Sequence, residues 1–574
     1  MARQESLRGR MTFHSSPSLA RRVGRVGGLV SRVGLAGLVG LAGFAGPVTL
    51  RAAGAAPAPA PVSANSNNDA ALRDAVRQGD RAAVTRLLAA GANAKLTEAD
   101  GTTLLHWAAE RGDADIAAQL IARGADAKAA NRFGVTPLSV AALTGNARLV
   151  TLLLEGGASP TTKSPEGETA LMLAARAGAP DVVTLLLDRG APVDDQEGWR
   201  GQTALMWAAA EGHTAVVETL LKRGARVDAV SKGGWTPLLF ATRGNHVTTI
   251  KALLTAHANA NAATPDGTHA LTLAIVNANY DAASALLANG ADPNASDPRG
   301  SALHALTWMR TTGYAAAPPR VSTGTTDSLT LAKALLERGA NPNARIDWKE
   351  IRFDRDLGTV KAPPAISIGR NYLSFVGATP FYLAAKGADL ALMRLLVQHG
   401  ADPKLATVQK VTPLMAAAGL GFWDGESPGP ESGVPESQAL EAVKLTVELG
   451  NDVHAVTDFG NTPLEGDPAA LLHRHPLNLA SFPDDALGDM RWGGSTALHG
   501  AALRGADSIV RYLVQQGARI DVRNRLGWTP LNIAEGVFVA NTEKAWPSTI
   551  ALLRSLQPGT QAANTAASQP AGGR

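Results

Sequence analysis

One short phrase returns along this chain at a nearly fixed interval, and that interval limits the fold more than any other feature. Thr103-Leu104-Leu105-His106, Thr136-Pro137-Leu138, Thr169-Ala170-Leu171, Thr203-Ala204-Leu205, Thr236-Pro237-Leu238, His269-Ala270-Leu271 and Ser301-Ala302-Leu303-His304 set their leucines 33, 33, 34, 33, 33 and 32 residues apart. The phrase comes back at Thr379-Pro380-Phe381, Thr412-Pro413-Leu414, Thr462-Pro463-Leu464, Thr496-Ala497-Leu498-His499 and Thr529-Pro530-Leu531. A second phrase follows at a constant offset, as in Leu87-Leu88 before Gly91-Ala92, Leu153-Leu154 before Gly157-Ala158, Leu186-Leu187 before Gly190-Ala191 and Leu335-Leu336 before Gly339-Ala340. A chain of 574 residues would otherwise suggest several independent domains. A fixed period means instead one small unit used many times, each copy burying its apolar face on its neighbours.

The residues of one unit dictate its form. Threonine suits the N-cap of a helix, and proline one position later has its φ already set for the first turn. A short helix with a leucine and an Ala-Ala pair follows, and Gly112, Gly145, Gly178, Gly212 or Asn245 ends it. A second helix carries Val/Ile and Leu-Leu on one face, as in Val216-Val217 with Leu220-Leu221. Glycine then supplies the left-handed C-terminal residue, and an Asn/Asp-rich stretch such as Ala291-Asp292-Pro293-Asn294 turns into the next unit. Neither helix is long enough to stay folded alone, so the units must stack.

On these residues the chain resembles the ankyrin repeat family, whose unit of 33 residues carries a T-P-L-H-x-A signature. The resemblance runs from Ala70 to Leu556 and implies an all-α solenoid of about eleven or twelve helix-turn-helix units. Residues 69–309 read as regular repeats, opened by an N-terminal cap over Leu72 to Ala99 that lacks the Thr-Pro phrase. Residues 310–556 read as repeats interrupted at 310–327, 346–377, 419–438 and 465–493, with a C-terminal cap and a disordered tail over 557–574. The unit beginning at Thr462 lacks a Leu-Leu-x-x-Gly helix and is expected to be degenerate. Insertions of this kind are expected to leave the array as loops on one face.

The resemblance further implies a non-catalytic scaffold that binds one or more proteins on a concave surface of turn tips and first helices, working as a monomer and without a cofactor. Carried onto this chain, the variable positions at the tips are Arg132, Phe133, Trp199, Arg200, Lys232 and Trp235. Those on the first helices are Glu110, Arg111, Arg176, Glu211 and Arg243. The insertion at 346–377 adds Trp348, Arg352, Arg355 and Tyr372, residue types enriched at binding hot spots. Trp107, Trp207 and Phe240 share one position of the first helix, where packing is the expected role.

Other chemistry finds little to stand on. Cysteine is absent, which removes disulfides, thiolate zinc sites and a cysteine nucleophile. His473-Arg474-His475, with His454, His499, Asp484 and Asp485 near in sequence, lacks the framework of a metal site. Glu350, Asp354 and Asp356 are expected to be a solvated charge run rather than an acid/base pair, and no phosphate loop, dinucleotide fingerprint, H-E-x-x-H or G-x-S-x-G is present. The net charge of +4 is concentrated at the start of the chain. Residues 1–55 hold eight arginines and one acid, a net +7, which leaves −3 for the rest and no general excess for nucleic acid.

That first segment is basic through residue 32, uncharged from Val33 to Leu50, and then rich in small residues, with Ala53-Gly54-Ala55 suited to cleavage. Basic, apolar, small is the order of an export signal. A periplasmic location is expected, with an inner-membrane anchor or a cytoplasmic extension as alternatives; membrane contact follows only if the leader stays attached. Residues 56–68 read as an Ala/Pro linker. Two other functional readings remain open: an enzyme or ligand-binding protein whose site is formed by the C-terminal insertions, and an intracellular ankyrin effector or regulator.

Overall fold

The computed structural model describes residues 64–297, 300–310, 322, 324–347, 375–421, 434–458, 493–525, 527–536 and 545–557. Contacts divide the chain into Met1–Val62 and Ser63–Arg574, and all described residues lie in the second unit.

Among the described residues the helices form twelve pairs. They are α1 (Ala64–Gln78) and α2 (Arg81–Ala89), α3 (Leu104–Glu110) and α4 (Ala114–Ala122), α5 (Pro137–Leu143) and α6 (Ala147–Glu155), and α7 (Ala170–Ala177) and α8 (Pro180–Asp188). Next come α9 (Ala204–Glu211) and α10 (Thr214–Lys222), α11 (Pro237–Arg243) and α12 (Val247–Thr255), α13 (Ala270–Val276) and α14 (Tyr280–Ala288), and α15 (Ala302–Arg310) and α16 (Ser328–Glu337). The last four are α17 (Pro380–Lys386) and α18 (Leu390–Gln398), α19 (Pro413–Ala418) and α20 (Glu436–Glu448), α21 (Ala497–Arg504) and α22 (Asp507–Gln515), and α23 (Pro530–Ala534) and α24 (Pro547–Ser555). Each first helix packs on the first helix of the next pair. The second helices form a parallel layer through α18 and again from α20 to α24. This is the stack of two-helix units expected from the spacing, and α1 begins inside the stretch read as linker.

The local chemistry follows the sequence logic. Thr136 Oγ1 accepts the Ser139 N–H at 3.1 Å with Pro137 in the first turn, and Thr236 and Thr379 cap α11 and α17 the same way. Among the described residues a left-handed residue stands one or two positions after the first helix of every unit but that of α15: Gly178 directly follows α7 with φ of 71°, and Asn245 does the same work two positions after α11 at 58°. Ala108-Ala109, Ala141-Ala142, Ala174-Ala175 and Ala208-Ala209 are fully buried, and their small size lets neighbouring first helices approach. Leu153, Leu186, Leu220 and Leu253 fill the layer between the two helices of each unit.

The Asn/Asp-rich turns do more than reverse the chain. Asp228 Oδ1 accepts the Asn259 N–H at 3.1 Å, Asn261 Oδ1 the Asp292 N–H at 2.7 Å, Asn294 Oδ1 the Asn341 N–H at 2.7 Å, and Asn343 Oδ1 the Asp402 N–H at 2.7 Å. A ladder of side-chain acceptors thus links successive units where a turn alone would leave their backbone donors to water. The tips are short hairpins; the longest pairs β1 (Ser296–Asp297) with β2 (Gly300–Ser301).

The residues that flank the interruptions fall at two places in the unit. The described flanks of 311–321 and 422–433 are the two helices of one unit, whereas those of 348–374 and 459–492 are the two sides of a tip. Both interrupted tips close across the gap. Ile346 N–H donates to Ala378 O at 3.0 Å, and Thr457 N–H donates to Ser495 O at 3.0 Å. α19 packs directly on α21, and among the described residues the unit after α20 starts at Thr496. The phrase at Thr462 lies outside the described residues. Residues at the edges of the predicted insertions are ordered parts of the array: Thr325 and Thr326 donate their N–H groups to Asp281, and Asp327 caps α16.

The α19–α21 contact also explains a departure at the position of Trp107 and Trp207. Here the residue is Gly500, and a Cβ on it would stand 2.4 Å from Leu420 N. The backbone leaving α19 occupies the space that a side chain fills in other units.

Candidate partner-binding face

The tips and the exposed ends of the first helices carry the residues that the family pattern singles out. At two tips an arginine stands over an aromatic ring: Arg132 over Phe133, 4.7 Å to the ring centre, and Arg200 over Trp199 at 4.3 Å. Trp199 is 75% exposed, so apart from Arg200 the described structure leaves its ring open. Its tip is rigid nonetheless. The Glu197 carboxylate turns inward and accepts the N–H groups of Trp199, Arg200 and Gln202 at 2.7, 2.8 and 2.9 Å, which holds its pKa below the usual carboxylate range against the opposing pull of burial. Lys232 donates to Gly198 O and joins the next tip to this one.

On the first helices, Arg176 lies over Trp207 at 5.0 Å, and Arg243 over Trp235 and Phe240 at 5.1 and 5.6 Å. Trp235 is half-buried against Phe240, with ring centres 5.4 Å apart, and so packs as well as presents. Arg111 is exposed yet employed, since its Nη1 donates to Arg77 O at 3.0 Å and ties the first two units together. Glu110 and Glu211 are exposed at helix ends. Trp348, Arg352, Arg355 and Tyr372 lie outside the described residues, as do His473, His475, Glu350, Asp354, Asp356, Asp484 and Asp485.

Sequence reading passed over one cluster: Arg77 stacks on Trp107 at 4.5 Å and pairs with Glu98, and the Trp107 Nε1–H donates to the same Glu98 oxygen at 2.9 Å. Arg77 and Glu98 belong to a first unit without the Thr-Pro phrase, so no register drew attention to them.

The histidines of the repeat phrase are structural. His106 Nδ1 accepts from Thr103 N–H at 3.0 Å, and its Nε2–H donates to Val135 O of the next unit at 2.9 Å. His304 and His499 bridge to Ala378 O and Trp528 O in the same manner. Burial lowers the pKa of all three, to about 4 for His304 and His499. Tyr382 replaces this histidine in α17, fully buried, and burial raises its pKa. One turn further along, Lys386 is pushed down to about 8 by burial and by the Arg504 guanidinium. Among the described residues no cluster of three histidines or carboxylates could hold a metal ion, and no helix is long and apolar enough to cross a membrane.

A stack of two-helix units with capped first helices and ladder-bonded tips defines the class as a helical repeat protein. The family profile "Ankyrin repeats (3 copies)" matches residues 72–164, 141–231 and 226–297, and the profile "Ankyrin repeat" matches 376–407 and 493–525. The chain belongs to the ankyrin repeat family. Among solved structures, the ankyrin repeat domain of human ASB11 is 28% identical over 38% of this chain and 97% of that chain, with a TM-score of 0.35. No curated protein matches the sequence.

Proposed function

We propose that this chain is a protein-interaction scaffold whose partner seats on the tips and first-helix ends of its regular repeats. Ankyrin repeats generally mediate protein–protein interaction, and the observation that carries the reading here is the Trp199–Arg200 pair. A large ring three-quarters exposed, held by a guanidinium and rooted in a carboxylate-braced turn, is a rigid anchor whose ordering is already complete before a partner arrives. The joint change Trp199→Ala and Arg200→Ala is expected to weaken capture of the native partner at least about tenfold while leaving the thermal midpoint nearly unchanged. Trp235 is left intact because its ring packs on Phe240. Unchanged capture by the folded variant refutes the assignment of this tip.

The leader supports export as the route to that partner. Its basic, apolar and small-residue order is that of a cleaved signal. Sequencing of the protein isolated from its host is expected to find an amino terminus near Ala56; a terminus at Met1 or Met11 rejects export by cleavage.

A further inference from the structure

The array contains the same arginine–tryptophan arrangement twice, once complete and once lacking its acid. Arg77 stands two residues before Gly79 and Arg176 two before Gly178, the left-handed glycines that end their helices. Trp107 and Trp207 each stand four residues after the capping threonine of the following unit, Thr103 and Thr203. In the first copy one Glu98 oxygen accepts from both Arg77 and the Trp107 indole N–H. In the second copy Arg176 lies on Trp207, but the Trp207 Nε1–H is buried with no hydrogen-bond partner.

The tip explains the difference. Glu98 and Glu197 hold matching places, since each donates its own N–H to the carbonyl just before the capping threonine, Thr102 O and Gln202 O. The spacing into the second tip is one residue longer, Leu171 to Leu205 being 34 residues. With that extra residue the Glu197 carboxylate is taken up by three backbone N–H groups of its own turn and does not reach the indole. Glu168 lies near enough to Arg176 to feel its charge, but it forms neither ion pair nor hydrogen bond with it, and burial, with the neighbouring Glu166 and Glu197 carboxylates, raises the Glu168 pKa. Arg200 and Arg243 are likewise laid on aromatic rings, and among the described residues no carboxylate lies within ion-pair distance of Arg176, Arg200 or Arg243.

We propose that the fourth to sixth repeats bind an acidic peptide segment of the partner protein. One side-chain carboxylate bridges Arg176 and the Trp207 indole N–H as Glu98 bridges Arg77 and Trp107, and a second seats on Arg243. The proposal rests on the scaffold reading and gives the partner its chemistry. A guanidinium already stacked on a ring has its donor edge oriented for an oxygen. Trp207 is half-buried and Arg176 exposed, so the entering oxygen meets Arg176 first. Arg176 and Arg243 sit two repeats apart, roughly 20 Å at the usual spacing of packed helices, which about six residues of extended chain span.

The test uses the full chain labelled with ¹⁵N-tryptophan, the Trp207 indole signal being assigned with Trp207→Phe. The probe is octaglutamate blocked at both ends. Blocked octaglutamine, a peptide whose only charge is a free C-terminal carboxylate, and inorganic phosphate form the other arms. Octaglutamate is expected to move the Trp207 indole resonance saturably and to leave that of Trp107, already bonded to Glu98, in place. Arg176→Gln is expected to weaken this binding about tenfold or more and to remove the shift; the unmoved Trp107 signal reports that the variant is folded. An equal response to the C-terminal carboxylate or phosphate, an equal response in the Arg176→Gln variant, or no response to millimolar octaglutamate overturns the proposal. If octaglutamate fails while capture still depends on Trp199 and Arg200, only the acidic segment falls; if both fail, the scaffold reading falls with it.

Discussion

Asp389→Ala is expected to lower the unfolding free energy of the repeats around it by about 3–5 kcal/mol. Asp389 does two jobs at the head of α18. Its Oδ1 caps the helix by accepting the Leu392 N–H at 3.1 Å, and its carboxylate meets the Arg310 guanidinium through two bonds, Nε to Oδ2 at 2.6 Å and Nη2 to Oδ1 at 3.0 Å. Both side chains are only 16% exposed, so screening by solvent is weak and the guanidinium left behind keeps little beyond the Ser328 hydroxyl to solvate it. The pair also crosses the most interrupted part of the array. Arg310 ends α15 immediately before residues 311–321, while Asp389 belongs to the unit that follows residues 348–374. Where chain continuity between neighbouring repeats is stretched in this way, a buried fork between them holds the stack. Equilibrium urea unfolding with hydrogen exchange at α15 to α18 checks the prediction. The double change Arg310→Met and Asp389→Leu, which removes both charges, is expected to restore most of the loss, because two apolar side chains leave no unpaired charge. A loss under about 1 kcal/mol for Asp389→Ala would place the pair among ordinary surface bridges and reject the clamp.

The array was legible in the sequence because each unit repeats its own instructions. Thr136, Pro137 and Gly145 specify start, first turn and stop of a helix by local chemistry alone, and the same residues recur at the same interval. Such signals do not say which edge an insertion leaves from. That depends on whether it follows a first helix, as 311–321 follows α15, or falls after a tip has begun, as 459–492 follows Asp458. The candidate face was legible as positions but not as partnerships. Trp107 and Trp207 are one position in the pattern, and packing was the sound expectation for both. What separates them is a single additional tip residue that turns Glu197 inward where Glu98 reaches across to the next helix. Gly500 was silent for a similar reason: its smallness answers to the Leu420 backbone, a contact between distant parts of the chain.

Acidification from pH 6.5 toward 4 is expected to destabilise the array through His304 and His499, by up to about 3 kcal/mol for each at the lower limit. In the unfolded chain a histidine takes up its proton near pH 6.5. In the folded chain burial keeps both rings neutral down to about 4. Between these values the unfolded state binds more protons, so stability falls as pH falls and is independent of these groups above neutrality. The bonding pattern makes the neutral ring necessary. His499 Nδ1 accepts the Thr496 N–H at 3.1 Å, and a protonated ring would turn that acceptor into a second donor facing a donor. His106 shifts in the same direction and adds to the effect in the second repeat. Repeat arrays unfold in segments, so hydrogen exchange at α3, α15 and α21 is the suitable measurement, followed from pH 7 to 4.5, above the range where ordinary carboxylates dominate. Because His304→Gln and His499→Gln remove the titrating ring, these variants are expected to be less stable at pH 7 but to show a flatter dependence below it. Equal slopes in the variants and the natural chain would assign acid sensitivity to other groups and remove these histidines from the account.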